Sequence, residues 1–547
     1  MTGLLLLALL ALTGCASRAA ETPPPAGPLA VAESLYLDLR DVRDRIDVAA
    51  AAARNVASDG TPVSALAARH HELRRAVIER IAAVDSAQLS TEDRRAFGVM
   101  RRALSRDLTP VSTAAASAVA EGRPDCGYDP GAIARADSLR ARIYACYAWA
   151  QSHVVVDDDT LDRLTVYGEL APTESRDRRR LLFLALDPVW RSINGDNFAS
   201  SPYRTLIALD APRRGKLPAA RDAGLAGVPS DSLDPWLLAV LAAWRAAAPD
   251  SVIEPWDWYY LAGRPTRELG SRVPRERLVA INQAVYRALG ADLGALNVRY
   301  DLEPRGGKTP VAFCTFGARP RLAGGRWTPG EPSVFATYRT GGLDNLAELL
   351  HETGHAIHIA AIHTRPAFTD WPDSDPFTEA VADFIALDVA EPAWQQRWLG
   401  DSVPLADGLR ARYGGIVLDV AWSLFELRML RDPSADPNEV WTRLTSEYLR
   451  IRPHPEVSWW AMRGQLVDAP GYMMNYAVGA MLIAALRART LERHGPWIQG
   501  DTSWYPWVSR TLFRYGLERP TREVVEEFLG GPVTPAALLK DMGRMKR

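Results

Sequence analysis

Two histidines four positions apart are the residues of this chain best suited to chemistry. His351 and His355 flank a glutamate in the segment His351-Glu352-Thr353-Gly354-His355. On a helix this spacing places both imidazoles on one face, where two ring nitrogens can bind one Zn²⁺. Glu352 is rotated by about 100° from His351, so it lies beside such an ion. Because zinc activates water and a nearby carboxylate can accept the proton, the segment predicts a hydrolytic zinc centre with Glu352 as general base.

A third protein ligand is needed to complete a catalytic zinc site, and its spacing distinguishes the types of site. The pattern with a further Gly and His downstream is absent, because position 361 is Ala. Glu379 lies 24 residues after His355 in a segment with helical spacing, and would complete a His₂Glu site with one open position. Asp383, one turn further on, is predicted to accept the free ring N–H of a ligand histidine. His358 is predicted to pack near the site rather than to bind the metal.

The elements that position these residues are predicted to be mainly helical. Asn345 followed by Glu348 is typical of a capping box, so the metal-binding helix is predicted over about Leu346–Ile362. Val311–Phe316 and Ser333–Tyr338 are rich in β-branched and aromatic residues and enclose a Gly/Pro-rich loop, which predicts a hairpin or two adjacent strands. Apolar residues at helical spacing dominate elsewhere. The sequence therefore predicts a mainly α fold with one small β-sheet beside the metal-binding helix.

Several of these segments resemble known zinc oligopeptidases. His351–His358 resembles the active-site helix of the thimet oligopeptidase family, and Glu254–Tyr260 is similar to a Trp-Asp…Tyr-Tyr stretch of the same family. Glu379–Leu387, with its 24-residue spacing from the second histidine, instead resembles angiotensin-converting enzyme. The resemblance covers about residues 250–480. It implies a two-lobed helical zinc peptidase of the gluzincin group, with a deep channel, Zn²⁺ as cofactor and peptides as substrates.

The resemblance also implies a tyrosine that stabilises the oxyanion of the tetrahedral intermediate. Pro470–Gly479 resembles the segment that carries it, with Tyr476 as the better match and Tyr472 as the alternative. Both families have a histidine several residues earlier, but residues 461–470 contain none. Arg463 is the only strong donor in that stretch. Either Arg463 replaces the histidine, or the transition state is stabilised in another way.

A strand beside the zinc helix is implied to pair with the backbone of the substrate, by strand addition to a sheet edge. Here that strand is either Val311–Phe316 or Ser333–Tyr338. The alternation of side chains is equally consistent with two core strands.

The N-terminal residues differ in character from the rest. Leu4–Leu12 is apolar and precedes Thr13-Gly14-Cys15; the run is shorter than the roughly 20 residues that span a bilayer. It resembles a bacterial lipoprotein signal, in which Cys15 is lipidated and becomes the mature N-terminus; a plain signal peptide is the alternative. The Pro-rich residues that follow, up to Pro28, predict a tether.

This organisation predicts a signal peptide over residues 1–14, a tether over 15–28 and a helical metallopeptidase over 29–547. Within the predicted metallopeptidase, residues 29–250 form the N-terminal helical part and residues 251–547 form the catalytic part. The predicted location is the bacterial cell envelope, lipid-anchored and facing the periplasm, with the outer membrane preferred to the inner.

Composition and cysteine usage limit the remaining function classes. The formal net charge is −2 and the chain has no basic face, so nucleic-acid binding is not expected. Cys126 and Cys146, 20 residues apart, can pair in an oxidising compartment, which leaves Cys314 unpaired. No Cys-x-x-Cys motif is present, so a thiolate zinc site is not expected.

The function predicted from the sequence is hydrolysis of oligopeptides by water that zinc activates. One rival is a dipeptidyl carboxypeptidase, which needs a cationic group for the C-terminal carboxylate of the substrate. The other is a catalytically weak lipoprotein that keeps the zinc fold and serves in binding; the missing histidine before Tyr476 supports it. The sequence leaves the oligomeric state open.

Overall fold

The structure, a computed structural model, describes residues 27–546 apart from 53, 58, 107–122, 130–134, 212–223, 306–307, 309–310 and 324–325. The predicted signal peptide, Cys15 and nearly all of the predicted tether lie outside the described residues. No helix in the described part of the chain has both the length and the apolar character needed to cross a membrane.

Helices make up most of the described chain, which confirms the predicted fold class. Their amphipathic sequences explain why they pack: α2, for example, buries Leu66, Leu73, Val77 and Ile81, which lie on one face. In chain order the helices are α1 (Ala30–Ala51), α2 (Val63–Ala82), α3 (Thr91–Arg106), α4 (Ala136–Gln151), α5 (Arg163–Gly168), α6 (Arg176–Leu184), α7 (Asp187–Asn194), α8 (Pro202–Asp210), α9 (Leu233–Ala247), α10 (Trp258–Ala262), α11 (Arg264–Leu269), α12 (Leu278–Ala288), α13 (Leu343–Ala361), α14 (Asp375–Ala386), α15 (Pro392–Leu399), α16 (Leu405–Arg431), α17 (Pro437–Leu449), α18 (Gln465–Asp468), α19 (Met473–Arg493), α20 (Trp504–Val508), α21 (Thr521–Leu529) and α22 (Ala536–Met542).

Short strands form three small sheets in the described residues. The strands are β1 (Val154–Val156), β2 (Asp159–Leu161), β3 (Arg299–Asp301), β4 (Phe313–Ala318), β5 (Arg321–Ala323), β6 (Arg326–Thr328) and β7 (Glu331–Phe335). The strand order is β3-β7-β4 in the three-stranded sheet, with β7 parallel to β3 and antiparallel to β4. Strands β1 and β2 form one hairpin, and β5 and β6 form another.

The predicted strand pair exists, but its bounds and surroundings were predicted incorrectly. Strand β4 begins two residues later than predicted, and β7 begins two residues earlier. Residues 336–338 leave the ladder: the amides of Ala336 and Tyr338 donate to the carbonyls of Asp301 and Leu302. The predicted loop contains the β5–β6 hairpin, and β3 was not predicted, since three residues carry too little periodic signal.

Buried apolar residues of the described chain form one large core, one smaller core and a cluster of three residues, Phe316, Ile359 and Ile362. The large core extends from Ala136 to Met545 and crosses residue 250. The smaller core lies within residues 29–104 and includes only Ala367 and Phe368 from the rest of the described chain. We call residues 29–106 the N-terminal three-helix unit. The division at residue 250 stays a prediction.

Charged side chains attach the N-terminal three-helix unit to the rest of the molecule. Arg319, which follows β4, has a side chain 1% exposed; its Nε lies 2.5 Å from Asp44 Oδ2, and its Nη2 lies 3.3 Å from Asp370 Oδ1. Arg365 donates to Glu33 and, at 2.9 Å, to Asp93. Ion pairs between partners in three separate segments therefore determine how the unit sits beside β4.

A disulfide joins Cys126 to Cys146 on α4. Cys314 on β4 is a free thiol. Both observations agree with the predicted pairing.

Candidate metal centre and its channel

Helix α13, which carries both histidines, begins at Leu343 rather than at Leu346. Gly342, with φ +116°, precedes it, and the Gly342 amide donates to the Val273 carbonyl at 2.8 Å. The predicted capping box is wrong: Asn345 lies inside the first turn, and its side chain donates back to two loop carbonyls at 3.1 Å each. The helix start is therefore determined by the glycine turn, because only glycine adopts this φ without strain.

Hydrogen bonds from two neighbouring elements hold α13 in place. Asn282 on α12 donates to Thr353 Oγ1 at 3.0 Å, and the hydroxyl of Tyr300 on β3 lies 3.1 Å from the same oxygen. Tyr286 on α12 donates to the Leu350 carbonyl at 2.6 Å. Thr353, the variable third residue of the motif, is thus the anchor point of the metal-binding helix.

The glycine of the motif determines how closely α14 approaches. A Cβ at Gly354 would lie 2.3 Å from the Ala382 carbonyl oxygen, a contact that a backbone atom cannot relieve. Since α13 and α14 pack with their backbones touching here, Glu379 on α14 comes level with the two histidines.

The two histidines and Glu379 form a compact cluster. One donor atom from each of His351, His355 and Glu379 lies within 4.8 Å of the others. His351 Nε2 is 3.6 Å from Glu379 Oε2, and the histidine rings are perpendicular, with centroids 4.8 Å apart. Two ligands about 2.1 Å from a tetrahedral zinc ion lie about 3.4 Å apart, so this donor set fits zinc.

Asp383 orients His351, as the sequence spacing predicts. Its Oδ1 lies 2.7 Å from His351 Nδ1, which leaves Nε2 facing Glu379. Burial favours the neutral ring, but the carboxylates of Asp383 and Glu379 outweigh it and hold the pKa of His351 well above its usual value. Burial also favours the neutral form of Glu379 and would raise its pKa, but contacts with both histidines and the Tyr472 hydroxyl hold that pKa below its usual value. The Glu379 carboxylate is therefore ionised. In the neutral form of His351 that could bind a metal, the contact with Asp383 keeps the proton on Nδ1 and leaves Nε2 as the donor atom.

The second ligand histidine differs from the first. Burial, together with the charge of His351, lowers the pKa of His355 to about 4. Its Nδ1 is buried without a hydrogen-bond partner in the described residues. The ring is therefore neutral at neutral pH, and the neutral ring is the form that binds a metal. His358 lies outside the cluster and packs against Trp371 and Phe513.

Glu352 is 6% exposed and lies at the wall of the same cavity. Its Oε2 has no hydrogen-bond partner among the described residues. Burial raises the pKa of Glu352 to about 8, with His351 opposing and Glu348 and Glu379 adding to the effect. A buried carboxyl group of this kind is suited to accept and release a proton near neutral pH.

Tyr472 and Tyr476 both line the cavity, and their rings are 5.7 Å apart. Burial, reinforced by the charge of Glu379, raises the pKa of Tyr476 to about 12. Burial also raises the pKa of Tyr472, so each phenol stays protonated at neutral pH and can donate a hydrogen bond. The structure brings both predicted tyrosines to the metal cluster, with the Tyr472 hydroxyl nearer to Glu379.

The stretch that lacks the family histidine places a different polar group in the cavity. Arg463 donates to Asp419, and its guanidinium lies 4.6 Å from the Trp422 ring centroid and 5.7 Å from that of Tyr476. It does not line the cavity, whereas Gln465 does, and Gln465 interacts with the Tyr476 hydroxyl. Arg463 thus packs behind Tyr476, and Gln465 is the donor on the cavity side.

Strand β4 is the sheet edge that faces the metal cluster. It pairs only with β7 in its sheet, while Phe313 and Cys314 line the cavity. Of the two strands proposed from the sequence, only β4 has a free edge, because β7 is paired on both sides.

The cavity measures about 1020 Å³. Its lining residues come from α1, α4, α5, β4, α13, α14, α16, α18 and α19. Its acidic lining residues are Glu348, Glu352, Asp375, Glu379, Asp383, Asp419 and Asp468. An extended chain of several residues fits a cleft of this size.

Comparison with known proteins shows the fold. No protein-family model and no curated protein sequence matches the chain. A solved structure of an M32 carboxypeptidase from Deinococcus radiodurans R1 matches with a TM-score of 0.56 at 17% identity, over 95% of this chain and 99% of that one. The chain has the fold of a helical zinc peptidase. A structure of oligoendopeptidase F matches with a TM-score of 0.56 at 15% identity, over 96% and 97%. PZ peptidase A with an inhibitor matches with a TM-score of 0.58 at 14% identity, over 96% and 97%.

Sequence patterns missed several residues of this cavity. Gln465 and Arg163 belong to no motif, and Trp371 lies in a loop between α13 and α14. The Pro/Asp-rich composition around Trp371 indicates only a loop. Their positions depend on packing between distant segments, which periodicity does not record.

Proposed function

We propose that this protein is a zinc-dependent peptidase that hydrolyses short peptides. The observation that carries the proposal is the cluster of His351, His355 and Glu379 at the wall of a deep cavity, with Glu352 beside it, whose Oε2 has no hydrogen-bond partner in the described residues. The fold shared with solved peptidase structures supports it.

In this proposal different side chains bind the metal, transfer the proton and stabilise the developing negative charge during amide hydrolysis. When bound by the three ligands, zinc supplies the Lewis acidity that polarises a carbonyl and activates water near neutral pH. Glu352 accepts the proton of the attacking water and delivers it to the leaving amine. Tyr476, or Tyr472, donates a hydrogen bond to the carbonyl oxygen as negative charge develops there.

Substrate pairs with the free edge of β4, which runs beside the metal cluster. Backbone pairing holds an extended peptide regardless of its sequence, and the narrow cavity admits a chain only in extended form. Folded proteins and long unfolded chains are therefore expected to be poor substrates.

The test is to incubate zinc-loaded protein with equal molar amounts of a short fluorogenic peptide and of casein, with and without a chelator. We expect cleavage of the peptide alone, abolished by the chelator and restored by zinc. Metal analysis should give about one zinc per chain, lost in His355→Ala, because structural and catalytic zinc sites need all their ligands. Protein that carries zinc but cleaves no peptide would contradict the proposed function, and equal cleavage of casein would contradict a narrow channel.

We further propose that the protein is anchored by lipid at Cys15 and faces the periplasm. The short apolar run before Cys15 and the disulfide between Cys126 and Cys146 support an oxidising compartment. Mass spectrometry of the native N-terminal peptide is the measurement; an unmodified Cys15 would refute the anchor and leave the peptidase proposal intact.

A further inference from the structure

The cavity that contains the metal cluster is lined by acidic side chains and by an arginine, Arg163. Among the described residues that line the cavity, Arg163 is the only Arg or Lys, against seven carboxylic acids. It is the first residue of α5 and lines the same cavity as His351, His355 and Glu379. A single cation in a cavity lined by acids is suited to recognise one negative group.

The backbone at Arg163 is held in place by its neighbours. Asp162 caps α5 by accepting the Thr165 amide at 2.9 Å and the Thr165 hydroxyl at 2.7 Å. Arg163 Nη1 donates to the Met462 carbonyl at 3.3 Å, and its guanidinium lies 6.0 Å from the ring centroid of Tyr147. The side chain is thus positioned without any negatively charged partner.

The donor capacity of Arg163 is largely unused. Among the described residues no carboxylate lies within ion-pair distance of its guanidinium, and its buried Nε has no hydrogen-bond partner. Arg463, the residue after Met462, shows the contrast, since it donates to Asp419. A half-buried guanidinium without a counter-ion is costly unless a ligand supplies one.

The same wall connects Arg163 to the metal cluster. Tyr147 donates to the Met462 carbonyl at 2.9 Å, and a Cβ at Gly464 would lie 2.5 Å from the Tyr147 ring. The close contact at Gly464 brings the next residue, Gln465, to the cavity beside Tyr476. A peptide that lies along this wall therefore reaches Arg163 at one end and the metal cluster at the other.

We propose that Arg163 binds a carboxylate of the peptide substrate and so fixes where the peptide is cut. This inference rests on the proposed peptidase function and names its substrate class. A guanidinium matches a carboxylate through two parallel hydrogen bonds. Two sources share this chemistry: the C-terminal carboxylate of the peptide, and the side chain of an Asp or Glu residue.

The experiment compares kcat/KM for two matched pairs of peptides. One pair differs only in a free or an amidated C-terminus; the other differs only in Glu or Gln at a residue on the C-terminal side of the cut bond. A charge-assisted pair of hydrogen bonds predicts that one carboxylate form is preferred about 10- to 100-fold. The pair that shows the preference identifies the source.

Variants of the arginine connect the preference to this residue. Arg163→Met should reduce the preference to about one-fold, and Arg163→Lys should retain part of it, since lysine keeps the charge but loses the fork. Arg178→Met is the control, because Arg178 lies on α6, pairs with Asp157 at the surface and does not line the cavity. Zinc content and thermal unfolding should match the parent in all three variants.

A preference that persists in Arg163→Met, or the absence of any preference in the parent protein, overturns the proposal while leaving the peptidase function standing. If no peptide is cleaved, the peptidase function fails instead. The same peptide pairs are then titrated calorimetrically into zinc-loaded protein, where equal binding of the paired peptides overturns the role of Arg163.

Discussion

Charged or polar groups are buried both at the junction, where the N-terminal three-helix unit meets the rest of the molecule, and at the metal centre. At the junction these groups are paired, whereas at the metal centre some of them lack hydrogen-bond partners in the described residues. At the junction, Arg319 contacts Asp44 and Asp370. At the metal centre, Glu352 Oε2 and His355 Nδ1 are equally buried and have no hydrogen-bond partner in the described residues.

This difference separates a structural role from a chemical one. Buried charges that are fully paired stabilise one arrangement of segments, and removing one partner is destabilising. Buried polar groups that lack partners cost stability, and they are retained where a ligand or a reaction uses them. Substitutions at the metal centre should therefore reduce activity more than stability, and substitutions at the junction should do the opposite.

The largest effect is expected for Glu352→Gln. The amide keeps the shape of the side chain but cannot accept the proton, so kcat should fall by about 10²–10⁴-fold. Zinc content should stay near that of the parent, because Glu352 is not a ligand, and the unfolding temperature should not fall. Peptide turnover and metal analysis on the same sample are the measurements; parental turnover would remove Glu352 from the mechanism.

Arg319→Met should act on stability instead. It leaves Asp44 buried without its partner, and breaking a buried pair costs roughly 3–5 kcal/mol. Hydrogen exchange should accelerate in α1–α3 while α13 stays protected, since the smaller core opens separately.

Arg321→Met is the matched control for this variant. Arg321 also pairs with α1, through Asp38 and Asp41, but its own side chain is 35% exposed. A pair this exposed contributes about 1 kcal/mol or less. Equal losses in the two variants would mean that burial of the charge does not determine the strength of the junction.

Gly354→Ala should change the free energy of unfolding less than Arg319→Met does, and it should affect both stability and activity. The added Cβ meets the Ala382 carbonyl at 2.3 Å, and overpacking of this kind costs about 1–3 kcal/mol. Because α14 carries Glu379, zinc affinity should fall as well.

Gly415→Ala on α16 is the control: nothing lies within 4 Å of its new Cβ, so helix propensity should stabilise it by about 0.5–1 kcal/mol. Thermal unfolding and zinc titration measure both; a Gly354→Ala protein as stable as the control would mean that α13 and α14 can separate freely.

The candidate site was predictable from the sequence to the extent that it depends on helical spacing. Two pairs of residues are each spaced four positions apart, His351 with His355 and Glu379 with Asp383. Residues at this spacing lie on one face of a helix, so both pairs could be predicted. The start of α13 was mispredicted, because Asn345 and Glu348 resemble a capping box while the actual determinant is a glycine turn docked on Val273. Strand bounds shifted for a similar reason: β7 also pairs with β3, which is distant in sequence.

By itself the sequence predicted the mainly helical fold, the candidate donor set of His351, His355 and Glu379, and the two tyrosines that the structure places beside it. Only the tertiary structure decided that β4 rather than β7 has the free edge, that Arg463 lies behind Tyr476 while Gln465 reaches the cavity, and that Arg163 faces the channel without a counter-ion. The physical reason is range. Helical periodicity and ligand spacing are local properties of the chain, whereas the edge of a sheet and the partner of a charge depend on segments far apart in sequence that meet only when the chain folds.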